Sequence, residues 1–183
     1  CGMGHVEGEC AWTKAAGEEN AIFMVPNLNS KGFSNIVNAR THPEQPLWFQ
    51  IYVNPDREIV LDQIKDCEAA GMKALCITVD SAVAGKRERD LRNKIRRQIE
   101  TDLKATKAAT GRTRKAGTYA NRDPALNWDD VEWFQKHTSM KIVIKGVQTG
   151  LDAVKAAQAG CDAVILSNHG GRNLDTSRSG IEI

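Results

Sequence analysis

The run Ser167-Asn168-His169-Gly170-Gly171-Arg172-Asn173-Leu174-Asp175 follows directly on the apolar stretch Asp162-Ala163-Val164-Ile165-Leu166. It sets an imidazole, which can accept a proton near neutral pH, three residues before a guanidinium, which can hold a carboxylate through two parallel hydrogen bonds. The paired glycines between them allow backbone to approach a ligand closely. This combination suits proton abstraction from a small carboxylic acid. For the motif alone, a solvated Gly-rich turn closing a strand is the competing reading.

Three other apolar runs also end in polar residues: Leu47-Trp48-Phe49-Gln50-Ile51-Tyr52-Val53, Ala74-Leu75-Cys76-Ile77-Thr78-Val79-Asp80 and Lys141-Ile142-Val143-Ile144-Lys145-Gly146. Read as strands, all four deliver polar groups at their C-terminal ends. Gln50 and Tyr52 lie two apart and so share a face, as do Thr78 and Asp80.

The elements that must position these residues alternate. Helices are expected over 7–18, 33–39, 56–70, 128–136 and 151–159, and a further short strand over 20–26. Asp56 starts the third helix, whose Ile59, Val60, Ile64, Cys67 and Ala70 recur at helical spacing up to Gly71. Helices alternating with apolar strands imply right-handed βαβ units and a parallel sheet. A doubly wound sheet concentrates its ligand contacts at one crevice, whereas a barrel collects them from several strand ends. Inward polar pairs on neighbouring strands favour the barrel.

Composition excludes several classes. The chain has 183 residues, 41% of them hydrophobic and 26% charged, an ordinary globular balance that supplies one sizeable core. It contains no run approaching the roughly 20 apolar residues of a membrane helix. Five scattered cysteines, Cys1, Cys10, Cys67, Cys76 and Cys161, have neither disulfide-framework nor zinc spacing, and no metal is expected. Residues 86–115 carry twelve Lys or Arg against four acidic residues, which reads as a solvated helix running into a loop, with a docking patch as the alternative. A net charge of only +2, and a basic run without interleaved aromatics, argue against nucleic acid. The chain begins at Cys1, and Ser179-Gly180-Ile181-Glu182-Ile183 reads as the first turn of a helix, so a part of something longer is expected.

Taken in order, Gln50-Ile51-Tyr52-Val53, Ile77-Thr78-Val79-Asp80, Gly85-Lys86-Arg87-Glu88, Ile144-Lys145-Gly146-Val147 and Ser167-Asn168-His169-Gly170-Gly171-Arg172 resemble the FMN-dependent 2-hydroxy-acid oxidase and dehydrogenase family. Gly4-His5-Val6-Glu7-Gly8-Glu9 and Asp123-Pro124-Ala125-Leu126-Asn127-Trp128 extend the likeness along the whole chain, and the basic insertion is most similar to the flavocytochrome-type L-lactate dehydrogenases. The resemblance implies a (β/α)8 TIM barrel, of which residues 1–183 supply about strands two to six, with a basic inserted loop at about 86–122.

It also implies roles. His169 would be the base, Asp80 would stabilise its imidazolium and raise its pKa, and Arg172 would clamp the substrate carboxylate. Tyr52 would hydrogen-bond the substrate, and Arg87 would add positive charge beside it. FMN would be held by Gln50, Thr78, Lys145 and Ser167, with Lys145 beside the flavin N1 and C2 carbonyl. A Schiff-base role for Lys145 ranks lower because His, Arg and Asp accompany it.

The implied reaction is oxidation of an L-2-hydroxy acid, with L-lactate the best guess, to a 2-oxo acid. The electron acceptor, a cytochrome, a quinone or oxygen, stays open. A non-catalytic remnant with little or no FMN binding is the alternative, and an IMP dehydrogenase-like flavin barrel is disfavoured by His-Gly-Gly-Arg. Relatives of this kind suggest a soluble enzyme, often a homo-tetramer, in the mitochondrion, cytoplasm or peroxisome. One departure stands out: Pro26 occupies the place where the family carries a hydroxyl residue, and it lacks a backbone N–H. The phosphate-binding loops of the later barrel strands are expected to fall outside this chain.

Overall fold

Five short apolar runs hydrogen-bond side by side into one parallel sheet. The computed structural model describes residues 2, 4–86, 88 and 121–183. Its strands are β1 (Phe23–Pro26), β2 (Leu47–Ile51), β3 (Ala74–Thr78), β4 (Lys141–Val147) and β5 (Ala163–Leu166). Their spatial order is β1-β2-β3-β4-β5, every neighbouring pair parallel. Strands added in sequence without a reversal of direction form a barrel wall; a doubly wound sheet would reverse at a switch point.

Helix α1 (Glu9–Glu18) precedes the sheet, and α2 (Phe33–Asn38), α3 (Arg57–Ala69), α4 (Asp130–His137) and α5 (Gly150–Gln158) run between strands. Asp56 caps α3 as its position predicts, its carboxylate accepting the Glu58 N–H at 3.1 Å. Thr149 caps α5 in the same way, through the Asp152 N–H at 3.1 Å. Near the end of the chain, Glu182 accepts the Ser179 N–H at 2.9 Å and its hydroxyl at 2.6 Å, half of a capping box.

The two faces of the sheet differ. One buries Val25, Phe49, Ile51, Leu75, Ile77, Ile142 and Ile144 against Ile36 of α2, Val60 and Ile64 of α3, and Phe134 of α4. The other carries a small cluster of Ala74, Cys76 and Val143 with Met24, Trp48 and Ile165, to which no helix contributes. Helices on one face and side chains alone on the other identify the second as the inside of a barrel wall.

Strands β2 and β3 stop at Ile51 and Thr78, short of the apolar runs that predict them. Tyr52 and Asp80 therefore stand just beyond the ladder, in the loops at the barrel mouth. A bulge interrupts the pairing of β4 with β5 between Lys145 and Val147, at Gly146, whose φ is +113°. Arg87 and most of the basic segment expected at about 86–122 lie outside the described residues.

Candidate active site

Register and alternation decide which side chains meet. Gln50 pairs with Cys76, Cys76 with Val143, and Thr78 with Lys145. Gln50, Thr78 and Lys145 therefore project from the inner face near the C-terminal strand ends, and Tyr52, Asp80 and Ser167 follow from the next loops.

His169 enters from the turn after β5, a single 3-10 turn spanning His169–Gly171. Its φ of +58° is uncommon for a residue with a side chain. The conformation is held locally: the His169 N–H donates to Ser167 Oγ at 2.9 Å, and Asn168 Oδ1 accepts the N–H groups of Gly170 and Gly171 at 3.0 and 3.2 Å. This turn delivers a buried imidazole, 5% exposed, onto the carboxylate that follows β3.

His169 Nδ1 lies 2.6 Å from Asp80 Oδ1. An ionised carboxylate can only accept, so Nδ1 carries the hydrogen and the lone pair stays on Nε2. The Tyr52 hydroxyl donates to that Nε2 at 3.2 Å. Asp80 is fixed from two further directions. Asn173 Nδ2 donates to its backbone carbonyl at 2.6 Å, and a Cβ at Gly146 would fall 2.5 Å from Asp80 Cβ, so only glycine leaves room for it. Gly85 plays a similar part beside Arg172, whose carbonyl occupies the place a side chain would need.

The electrostatics correct one expectation. An ion pair with Asp80 is expected to raise the His169 pKa, yet the imidazole is held below its ordinary 6.5, because burial outweighs the hydrogen bond and charge of Asp80. Lys145 and Arg172 push the same way as burial. At neutral pH His169 is thus a neutral imidazole whose Nε2 lone pair accepts the Tyr52 hydroxyl, the form a base requires.

Lys145 Nζ lies 3.6 Å from Asp80 Oδ2 and 3.4 Å from Ser167 Oγ. Gln50 Nε2 donates to Thr78 Oγ1 at 2.8 Å, which leaves the Thr78 hydroxyl proton free to donate onward. Gln50 Oε1 accepts the Asn27 N–H at 3.2 Å, and Gln63 Nε2 donates to Asn27 Oδ1 at 2.7 Å. Pro26 provides neither hydroxyl nor N–H, and the following amide binds Gln50 in its place. Arg172 uses Nε on the His169 carbonyl at 2.9 Å, and its side chain forms no ion pair among the described residues, so both terminal nitrogens remain for a ligand.

The structure thus unites Tyr52, Asp80, Lys145, Ser167, His169 and Arg172 around one imidazole, with Gln50 and Thr78 as a bonded pair on the neighbouring strands. Sequence reasoning missed Gly146, Asn173, the Asn27–Gln63 support and Arg122, whose guanidinium sits 4.3 Å from the Tyr52 ring centroid. A glycine inside a strand pattern is a bulge signal that could have singled out Gly146. The other three have no local signature.

The inner-face donors suit a flavin ring. Among the described residues Lys145 makes only long polar contacts and so keeps ammonium hydrogens to spare, beside the hydroxyl proton of Thr78. An electron-rich edge of a planar heterocycle needs such donors.

Comparison with known proteins agrees. The profile of the FMN-dependent dehydrogenase family matches residues 1–183, and the chain belongs to that family. It is 40% identical over 183 residues to the L-lactate dehydrogenase (cytochrome) of Wickerhamomyces anomalus, covering 99% of this chain and 31% of that protein. A peroxisomal (S)-2-hydroxyacid oxidase of Arabidopsis thaliana is 37% identical over 189 residues, covering 99% and 50%. Among solved structures, the recombinant flavin-binding domain of baker's yeast flavocytochrome b2 superposes with a TM-score of 0.78 at 38% identity, over 97% of this chain and 41% of that one. The chain thus spans 31% to 50% of the length of these curated relatives, and its fold is a partial TIM barrel.

Proposed function

We propose that this chain carries the proton-accepting side of an FMN-dependent enzyme that oxidises an L-2-hydroxy acid, L-lactate in the first instance, to the 2-oxo acid. The observation that carries the reading is the His169 ring, its Nδ1–H tied to Asp80 at 2.6 Å and its Nε2 met by the Tyr52 hydroxyl at 3.2 Å. His169 Nε2 takes a proton from the substrate, and Asp80 keeps the resulting imidazolium oriented. Tyr52 turns its hydroxyl from Nε2 to the substrate, the terminal nitrogens of Arg172 hold the substrate carboxylate, and Arg87 adds positive charge.

FMN, when bound, supplies the two-electron acceptor. Gln50, Thr78, Lys145 and Ser167 are the residues that would hold its ring. The lactate reading rests on the cytochrome-type lactate dehydrogenases among the relatives. An L-lactate oxidase of Nostoc is similar at 34% identity, so a cytochrome, a quinone or oxygen can each be the final acceptor. A homo-tetramer, and a mitochondrial, cytoplasmic or peroxisomal setting, belong to the same reading. Among the described residues no helix is long and apolar enough to cross a membrane.

Anaerobic addition of L-lactate to the chain with FMN should bleach the flavin absorbance. His169→Ala should slow that reduction by about 10²–10⁴-fold with FMN still bound, and Arg172→Lys should raise KM by about tenfold, since the planar fork is lost. Absence of FMN binding at micromolar flavin would favour the non-catalytic remnant.

A further inference from the structure

Asp80 faces two cationic groups through different oxygens. Oδ1 takes the His169 Nδ1–H at 2.6 Å, while Oδ2 is buried, has no hydrogen-bond partner among the described residues, and lies 3.6 Å from Lys145 Nζ. The carboxylate is 3% exposed and the lysine side chain 16%, so solvent screens their interaction poorly. The ammonium itself is loosely held, since among the described residues its polar contact beyond Asp80 is Ser167 Oγ at 3.4 Å. It can leave Oδ2 by rotating about its last bonds without breaking a short hydrogen bond.

We propose that Lys145 governs proton retention on His169 through a shared carboxylate. While the ammonium faces Oδ2, part of the field of Asp80 is spent on it, which adds to burial in keeping the imidazole a free base. When an anion on the inner face draws the ammonium away, the whole carboxylate serves the imidazolium, and a proton taken up at Nε2 stays there. Lys145 is in this sense a positioning residue for the base, acting on it through Asp80. The identity of the anion, the ring of a reduced flavin, rests on the function proposed above. The sharing does not, because it is a relation among three side chains of the chain itself.

The groups facing His169 are Asp80 beyond β3, Lys145 of β4, the Tyr52 phenol beyond β2 and Arg172 of its own turn. Of these, Asp80 favours the imidazolium, while Lys145 and Arg172 oppose it.

The test is NMR titration of the full 183-residue chain, without cofactor. It has four histidines, and the His169 resonance is identified by its loss in His169→Gln. Lys145→Met should raise the His169 midpoint by about one pH unit, whereas Lys145→Arg should leave it in place. In an Asp80→Asn background the same lysine substitution should produce half that shift or less, as the double-mutant cycle for a mediated effect requires. Equal shifts in both backgrounds would mean that the ammonium acts directly and would overturn the proposal, as would no shift at all. Unmoved resonances of His5, His42 and His137 report an intact fold, and Lys145→Gln replaces Lys145→Met if the latter does not fold.

A second arm loads FMN and reduces it with dithionite in the absence of substrate. The His169 midpoint should rise on reduction in the wild type and rise by less than half as much in Lys145→Met; equal rises would overturn the coupling. If no FMN binds, the functional reading fails, and the cofactor-free titration still decides the sharing.

Discussion

On the helix side of the sheet, Phe49, Ile51, Leu75, Ile77, Ile142 and Ile144 pack against Ile36, Val60, Ile64 and Phe134 in one continuous apolar layer. On the inner side, the buried apolar cluster is only Ala74, Cys76 and Val143 with three partly buried neighbours. Toward the strand ends it gives way to Gln50, Thr78, Asp80 and Lys145. The same strands thus supply stability through one face and chemistry through the other. Alternation with a period of two makes this division possible, since each strand writes both messages in interleaved positions.

The division can be broken from either side. The largest effect on stability should come from the helix face: Phe134→Ala removes a side chain 1% exposed and should cost about 3–5 kcal/mol in urea denaturation. Unchanged ligand response in that variant, measured where it is still folded, would confirm the separation; a lost response at full folding would refute it. A smaller effect is expected from the inner face. Thr78→Val leaves Gln50 Nε2 buried without its 2.8 Å acceptor, at a cost of about 1–3 kcal/mol. A neutral result would show that Gln50 finds another partner.

The smallest effect is a pH dependence. Because the folded His169 titrates below 6.5, the unfolded chain binds more protons as the solution is acidified. The contribution of His169 to stability is therefore complete above the unfolded value and is lost as pH falls through the folded one. Denaturation series between pH 8 and 5 should show this decline in the wild type and a shallower one in His169→Gln. Matching slopes would remove His169 as its source.

Much of this was legible in the residues alone. The helix and strand order follows from apolar periodicity, and Asp56 marks the start of α3 by its own capping bond. Gln50 and Thr78 share the inner face because any strand alternates, and Tyr52 and Asp80 follow two residues on, in the loops at the mouth. What could not be read depends on contacts between distant segments. Asp80 and His169 lie 89 residues apart, so burial could not be weighed against their ion pair, and the expected direction of the His169 shift came out reversed. Arg122 reaches the Tyr52 ring from 70 residues away, and Asn173 is tied to the Asp80 carbonyl across 93. No periodicity encodes such meetings.

The extra residue at Gly146 has a consequence for how the two faces can vary. Val143 and Lys145 belong to the inner face, yet Val147, two residues farther on, is 2% exposed within the helix-side core and pairs with Leu166. Strict alternation forbids this; one inserted residue reverses the parity of everything after it. Strand β4 is therefore read in two frames, one before the bulge that serves the site and one after it that anchors the shell. Changes around Lys145 can retune the mouth without shifting the anchor, and deletion of Gly146 would set Val147 directly after Lys145, still on the helix side by plain alternation, so the anchor would outlast the bulge.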